Sequence, residues 1–199
     1  MTVRWSTFSA AAAALFLLAG CAGGGGGFSD FVLTKTQVRP AYDPGNFRFA
    51  HAGRTMPVVV HGEIGDFPSD EIGAALADVM TGFTPAGRTD FVGDQAVGTD
   101  VSRLAVKAAP PIDMSANSLC AGERLTERAD AREGEFRLLI AYCNRTRHLS
   151  STVLTVRQTP DAGALQTDGF RQGARQVAVR LFPARNPDDR GRRMLELGG

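Results

Sequence analysis

The sequence predicts an α+β domain: a mostly antiparallel sheet of about four strands with two helices on one face, in the order β-α-β-β-β-α. Three observations carry this. EFRLLIAYC, residues 135–143, alternates along its whole length, and LSSTVLTVR returns after a short polar turn, which makes a hairpin. SDEIGAALADVMTGF and DGFRQGARQVAVRLFP each repeat apolar residues at helical spacing. Val58, Val59 and Val60 form an unbroken β-branched run of the kind found in strands covered on both faces.

Taken in order, residues 28–46 mix aromatics with Pro40, Pro44 and Gly45 and read as a partly ordered lead-in. FRFA, 47–50, reads as a short edge strand, and MPVVVHGEI, 56–64, as a stronger one. In the helix that follows, Ser69 is the expected cap, with Asp70 and Glu71 at the positive end of the dipole. Ile72, Ala75, Leu76, Val79, Met80 and Phe83 make its apolar stripe, and Gly82 its stop. VSRLAVKA, 101–108, alternates as a strand that Pro110-Pro111 terminates. Residues 120–134 are charged and loop-like. In the hairpin's first strand Phe136, Leu138, Ile140 and Tyr142 point one way, and Leu139, Ala141 and Cys143 the other. NRTRH turns the chain. The last helix presents Phe170, Ala174, Val177 and Leu181 on one face and ends at Pro183. The single α+β domain is therefore expected over 47–183, and 184–199, with Arg185, Arg190, Arg192 and Arg193, as a disordered tail. That tail is either simply solvated or in contact with anionic lipid headgroups.

The first twenty residues have the layout of an export signal: Arg4, an apolar run from Ala10 to Leu18, then small residues. The run is too short to span a bilayer as a helix. Leu18-Ala19-Gly20-Cys21 resembles the lipobox of bacterial lipoproteins. The resemblance implies cleavage before Cys21, a lipid on its thiol and acylation of the new amino terminus. Several acyl chains give stable anchoring where one gives only marginal binding. Gly23 to Gly27 then form a flexible tether, 21–46 being the anchor and linker. A phosphate-cradling glycine loop needs a strand before it and a helix after it, and a cleavage site stands there instead. In enterobacterial lipoproteins an aspartate after the cysteine retains the protein in the inner membrane; Ala22 favours the periplasmic face of the outer membrane.

Cleavage removes Arg4 and brings the formal charge from +1 to neutral, which gives no electrostatic reason to expect nucleic acid. With Cys21 acylated, Cys120 and Cys143 remain, and in an oxidising compartment an even pair reads as a disulfide. Two free buried thiols and a metal pair are the alternatives; no CxxC spacing or neighbouring histidine supports metal. His51, His61 and His148 form no close ligand pair, and His61 reads as a satisfied core or rim residue. There is no GxSxG elbow, and GDFPSDE and DARE lack the density of oxygens that a calcium loop needs. No catalytic residue, cofactor or metal site is therefore expected.

LAVKAAPP, Leu119-Cys120, Ala141-Tyr142-Cys143, Leu149-Ser150 and Leu181-Phe182-Pro183 resemble elements of small exported bacterial proteins, over roughly the second half of the mature chain. That resemblance supports the paired cysteines and carries no activity. The expectation is an envelope lipoprotein, held to the membrane through Cys21, whose domain binds a protein partner or supports envelope assembly. A module for a lipid or cell-wall fragment is second, favoured by an apolar groove, and a hydrolase third. Replacing Cys21 with serine is expected to abolish acylation and membrane retention. Intact mass of membrane-extracted protein reads this, and an unmodified Cys21 in the native chain overturns the lipoprotein expectation.

Overall fold

The computed structural model describes residues 30–93, 97–129 and 132–187. The expected leader 1–20, Cys21, the glycine run and the tail from 188 lie outside these residues. In chain order the elements are β1 (Phe31–Val38), α1 (Pro44–His51), β2 (Thr55–His61), α2 (Ser69–Met80), β3 (Asp90–Gly93), β4 (Ser102–Ala108), α3 (Ala116–Ala121), β5 (Phe136–Asn144), β6 (Arg147–Val156), a 3-10 turn (Ala164–Gln166) and α4 (Asp168–Leu181).

The α+β class holds, but the sheet is larger than expected and mixed. Its six strands run in the order β1-β6-β5-β4-β2-β3. β4, β5, β6 and β1 pair antiparallel in turn. β2 pairs parallel with β3 on one side and with β4 on the other. The reason is α2, which carries the chain from the end of β2 back along the sheet, so that β3 must run the same way.

Two elements arise where other structure was expected. FRFA is not an edge strand; it lies in α1, where the Asp43 carboxylate accepts from the Asn46 amide at 2.6 Å and Pro44 occupies the first turn. Phe47 and His51, one turn apart, are buried by this geometry. The lead-in 28–46 supplies β1, an ordered edge strand, with Phe31 and Leu33 packed on the core. The domain also continues past Pro183. Asn186 is buried and its amide donates to the carbonyls of Tyr42 at 2.7 Å, Arg39 and Pro40, so residues 184–187 are not the start of a disordered tail.

α2 begins one residue earlier than a Ser69 cap requires. Pro68 is the N-cap, no side chain caps the helix, and Ser69 is its first residue, because the Ile72 amide already bonds to the Pro68 carbonyl. The stripe is as read for Ile72, Leu76, Val79 and Met80, whereas Phe83 lies beyond the helix, half exposed under the Arg175 guanidinium.

α2 and α4 cover one face of the sheet, as expected of the two long helices. Phe170, Ala174, Val177 and Leu181 of α4 are fully buried there, against Leu104, Val106, Leu138, Ile140 and Leu154. The opposite face is not left open. The short helix α3 lies on it, and Met114, Leu119 and Cys120 pack with Ala105, Leu139, Ala141, Cys143 and Val153 in a second, smaller core. The hairpin strand β5 thus sends its alternating residues into two cores, as its sequence indicates.

Cys120 and Cys143 form a disulfide that ties α3 to β5 across a separation of 23 residues. Replacing both with alanine is expected to cost about 3 kcal/mol through the larger entropy of the unfolded chain. Urea unfolding of the wild type and the double variant measures it; equal midpoints and slopes overturn it.

Candidate functional site

A depression lies where β2 and β4 end side by side. From the end of β2 the chain leaves over one face, through residues 62–68 into α2. From the end of β4 it leaves over the other, through α3 and residues 122–135. Adjacent parallel strands whose connections part in this way leave a crevice beyond their carboxyl ends, and open α/β sheets bind ligands in such places.

Two neighbouring compartments that share lining residues occupy it. One is a cavity of about 260 Å³ lined by Ile64, Ala109, Pro110, Ile112, Phe136 and Pro160, with the charged residues Arg128, Arg132, Glu135 and Arg137 also in its lining. The other is an open recess of about 480 Å³ bounded by Gly62, Pro68, Ser69, Lys107, Leu125 and Thr126. Glu63 and Arg128 border both, and their ion pair at 2.9 Å stands between them.

Local sequence builds these walls. Gly62 has φ +88, and a Cβ there would sit 3.1 Å from the Lys107 ammonium nitrogen, so the lysine occupies room that only glycine leaves. Gly65 has φ +55 and presses against the Pro160 carbonyl, where a Cβ would come within 2.7 Å. Ile64 and Phe67 bond to each other through both backbone groups and close the turn between these points. On the far wall the Ala129 amide donates to the Ala109 carbonyl at 2.9 Å, which brings Arg128 back over the strand ends.

Lys107 is the chemically distinctive residue. Its side chain is 2 % exposed, it borders the recess, and among the described residues it makes no hydrogen bond or ion pair. Burial and then the nearby Arg128 push its pKa below the usual lysine range, with Glu127 acting the other way. His61, its register partner on β2, is also lowered, by burial first and then by Lys107 and Arg103. Glu127 is itself held by Arg124 at 2.6 Å. Arg103, four residues back on the same face of β4, shows the contrast. It is equally buried but donates to the carbonyls of Cys120 at 2.7 Å, Arg145 at 3.1 Å and Val101 at 3.3 Å.

A second polar group lies at the other end of the sheet. The Tyr142 hydroxyl is 2.9 Å from His51 Nε2, inside a cluster of Tyr42, Phe47 and Phe182. Burial pushes the Tyr142 phenol up to about 12, a Ser102 hydrogen bond acting against it, while burial and then Arg54 lower His51. Both groups are therefore neutral near pH 7, and the pair fills a buried hydrogen-bonding need between packed rings.

Of the residues singled out in the sequence, Cys120 and Cys143 meet, Cys21 lies outside the described residues, and the three histidines sit on separate elements: His51 on α1, His61 ending β2, His148 on β6. His148 Nδ1 bonds Asn117 at 2.6 Å, leaving a buried Nε2 without a partner among the described residues. There, too, no group of three or more His, Cys, Asp or Glu side chains is placed to hold a metal ion, and no helix is long and apolar enough to cross a membrane. Lys107 and the crevice were not singled out. The signal present in sequence was a lysine alternating with Val106 in a strand, followed by two prolines.

No protein-family model, curated protein or solved structure matches the chain.

All three histidines have pKa values lowered by burial. The unfolded chain therefore binds more protons than the native one once pH falls below about 6.5. Stability is expected to be fully present above that value and to fall as pH drops towards the native pKa values, by at most about 1.4 kcal/mol per pH unit for each histidine. Urea unfolding between pH 8 and pH 5 measures this, and flat stability across the range contradicts it.

Proposed function

We propose that this is a lipid-anchored envelope protein, tethered through Cys21 at the periplasmic face of the outer membrane, whose domain is a non-catalytic binding module for a small ligand with an apolar tail. The observation that carries it is the apolar cavity beyond the ends of β2 and β4, lined by Ile64, Pro110, Ile112 and Phe136, with arginines also in its lining. Its size approaches that of typical small-molecule sites, roughly 300 Å³ and upward, and the recess beside it extends the space available. A cleft whose lining joins apolar and charged residues suits an amphipathic molecule, the kind of ligand a domain held at a membrane surface meets. On the sequence alone a protein partner ranked ahead of this reading. Phe49, 87 % exposed on α1, is the feature that favours such a partner, but a lone apolar side chain on a surface is ordinary.

Octanol is a probe for the apolar cavity. Ile112 is 66 % exposed and borders the cavity, so Ile112→Asp is expected to leave the fold intact. It is expected to weaken octanol binding to the full chain in nanodiscs about tenfold, roughly 1.4 kcal/mol, by calorimetry against empty nanodiscs. Octanol binding that ignores the substitution, or no binding by the wild type, overturns the crevice as the site and moves the weight to a protein partner.

A further inference from the structure

Resting on that reading of the crevice, we infer that the recess at Lys107 is an anion site, which takes the monoanionic headgroup, carboxylate or phosphodiester, of a ligand whose tail fills the neighbouring cavity.

Two independent features meet there. The first is Lys107, with 2 % exposure and no hydrogen-bonding partner among the described residues. The ammonium is not one of the fully enclosed, unpartnered atoms, so the recess it borders is where water now meets it and where an anion would take that water's place; Arg103, on the same strand face, is satisfied by backbone carbonyls instead. The second is the start of α2. Pro68 offers no side chain to cap the helix, so the amides of Ser69, Asp70 and Glu71 lack the usual side-chain acceptor, and Ser69 adds a hydroxyl at the edge of the recess. Helix amino ends and lysines recognise the same thing, an oxygen anion.

The charges around the recess favour a single negative charge. The carboxylates nearest in the lining and its surroundings are already engaged: Glu63 by Arg128 at 2.9 Å and Glu127 by Arg124 at 2.6 Å. Asp70 and Glu71 in the first turn of α2 offset the helix dipole and make a dianion less welcome than a monoanion. Lys107 is then the one described cation bordering the recess without an ionic partner. The Glu63–Arg128 pair lies between headgroup and tail compartments, so a ligand that spans both passes beside it.

The test compares octanoate, dihexanoylphosphatidylglycerol and octanol on the full chain in nanodiscs at pH 7, with empty nanodiscs as the blank. Lys35 and Lys107 are the chain's two lysines, so selective 13Cε-lysine labelling gives one reporter at the site and one away from it. Octanoate or the phosphatidylglycerol is expected to bind at least tenfold more tightly than octanol, and to move the Lys107 signal while Lys35 stays. Tight octanoate with weak phosphatidylglycerol identifies a fatty carboxylate; the reverse identifies a phospholipid. Lys107→Met is expected to erase the preference for the anion and leave octanol binding unchanged. Equal affinity for anion and alcohol, or an unmoved Lys107 signal at saturation, overturns the anion site while leaving the apolar crevice standing. Failure of all three probes to bind removes the crevice reading itself. If Lys107→Met does not fold, the wild-type comparison and the lysine signals still decide.

Discussion

The structure turns on how one central strand accommodates two cations. β4 lies between β2 and β5, and its face towards α3 carries Arg103, Ala105 and Lys107. Removing a guanidinium and an ammonium from water costs several kcal/mol each unless acceptors replace the lost hydration. Arg103 meets the requirement by drawing three backbone carbonyls onto itself, among them that of Cys120. In doing so it helps hold α3 against the sheet. Lys107, at the other end of the strand, has no such partners among the described residues and borders the recess instead. The same physical demand thus yields a structural clamp at one end and an unfilled chemical need at the other.

The two faces of the sheet are stabilised in different ways. Beneath α2 and α4 lies a continuous core of large side chains, and burial of apolar area accounts for its cohesion. Among the described residues the opposite face has a short helix and a handful of small or medium residues, too few to hold residues 109–129 by burial alone. The disulfide and Arg103 secure that segment near its middle. Toward the crevice it is held by lighter means, the Ala109–Ala129 backbone bond, exposed ion pairs of Arg124 and Arg128, and Lys35 donating to the Ile112 carbonyl at 2.7 Å. Exposed ion pairs contribute little individually. This wall of the crevice therefore rests on fewer and weaker contacts than the wall formed by α2 and the strand ends, which belongs to the larger core.

Parallel pairing is what creates a site at all. An all-antiparallel sheet of hairpins would have closed the ends of β2 and β4 with tight turns. α2, inserted between β2 and β3, lets β3 run in the direction of β2; β4 also pairs parallel with β2, and the connections that leave β2 and β4 part over opposite faces. Class α+β by itself implies no function; a functional reading has to start from the residues that the divergent connections bring to the crevice.

Local periodicity made much of the fold legible. The β5–β6 hairpin, the buried stripes of α2 and α4 and the two-sided pattern of β5 are all present in stretches of about ten to fifteen residues, within which neighbours enforce a period. α1 was legible in principle, since Asp43-Pro44 is a capping pair, but FRFA alternates well enough to imitate a strand. β1, β3 and the parallel order were not, because FVLTKTQV and DFVG acquire their strand character from partners far along the chain: β1 from β6, β3 from β2. The candidate site follows the same division. The sequence by itself determined that a lysine alternates with valine in a strand, and that glycine and proline flank the strand ends. Only the tertiary structure decided that a loop and α3 cover the lysine's side of the sheet, bringing Gly62, Pro68 and Ser69 around it. Burial is a property of what is packed on a residue from elsewhere, so the withdrawal of Lys107 from water is set by contacts spanning dozens of residues rather than by its neighbours in sequence.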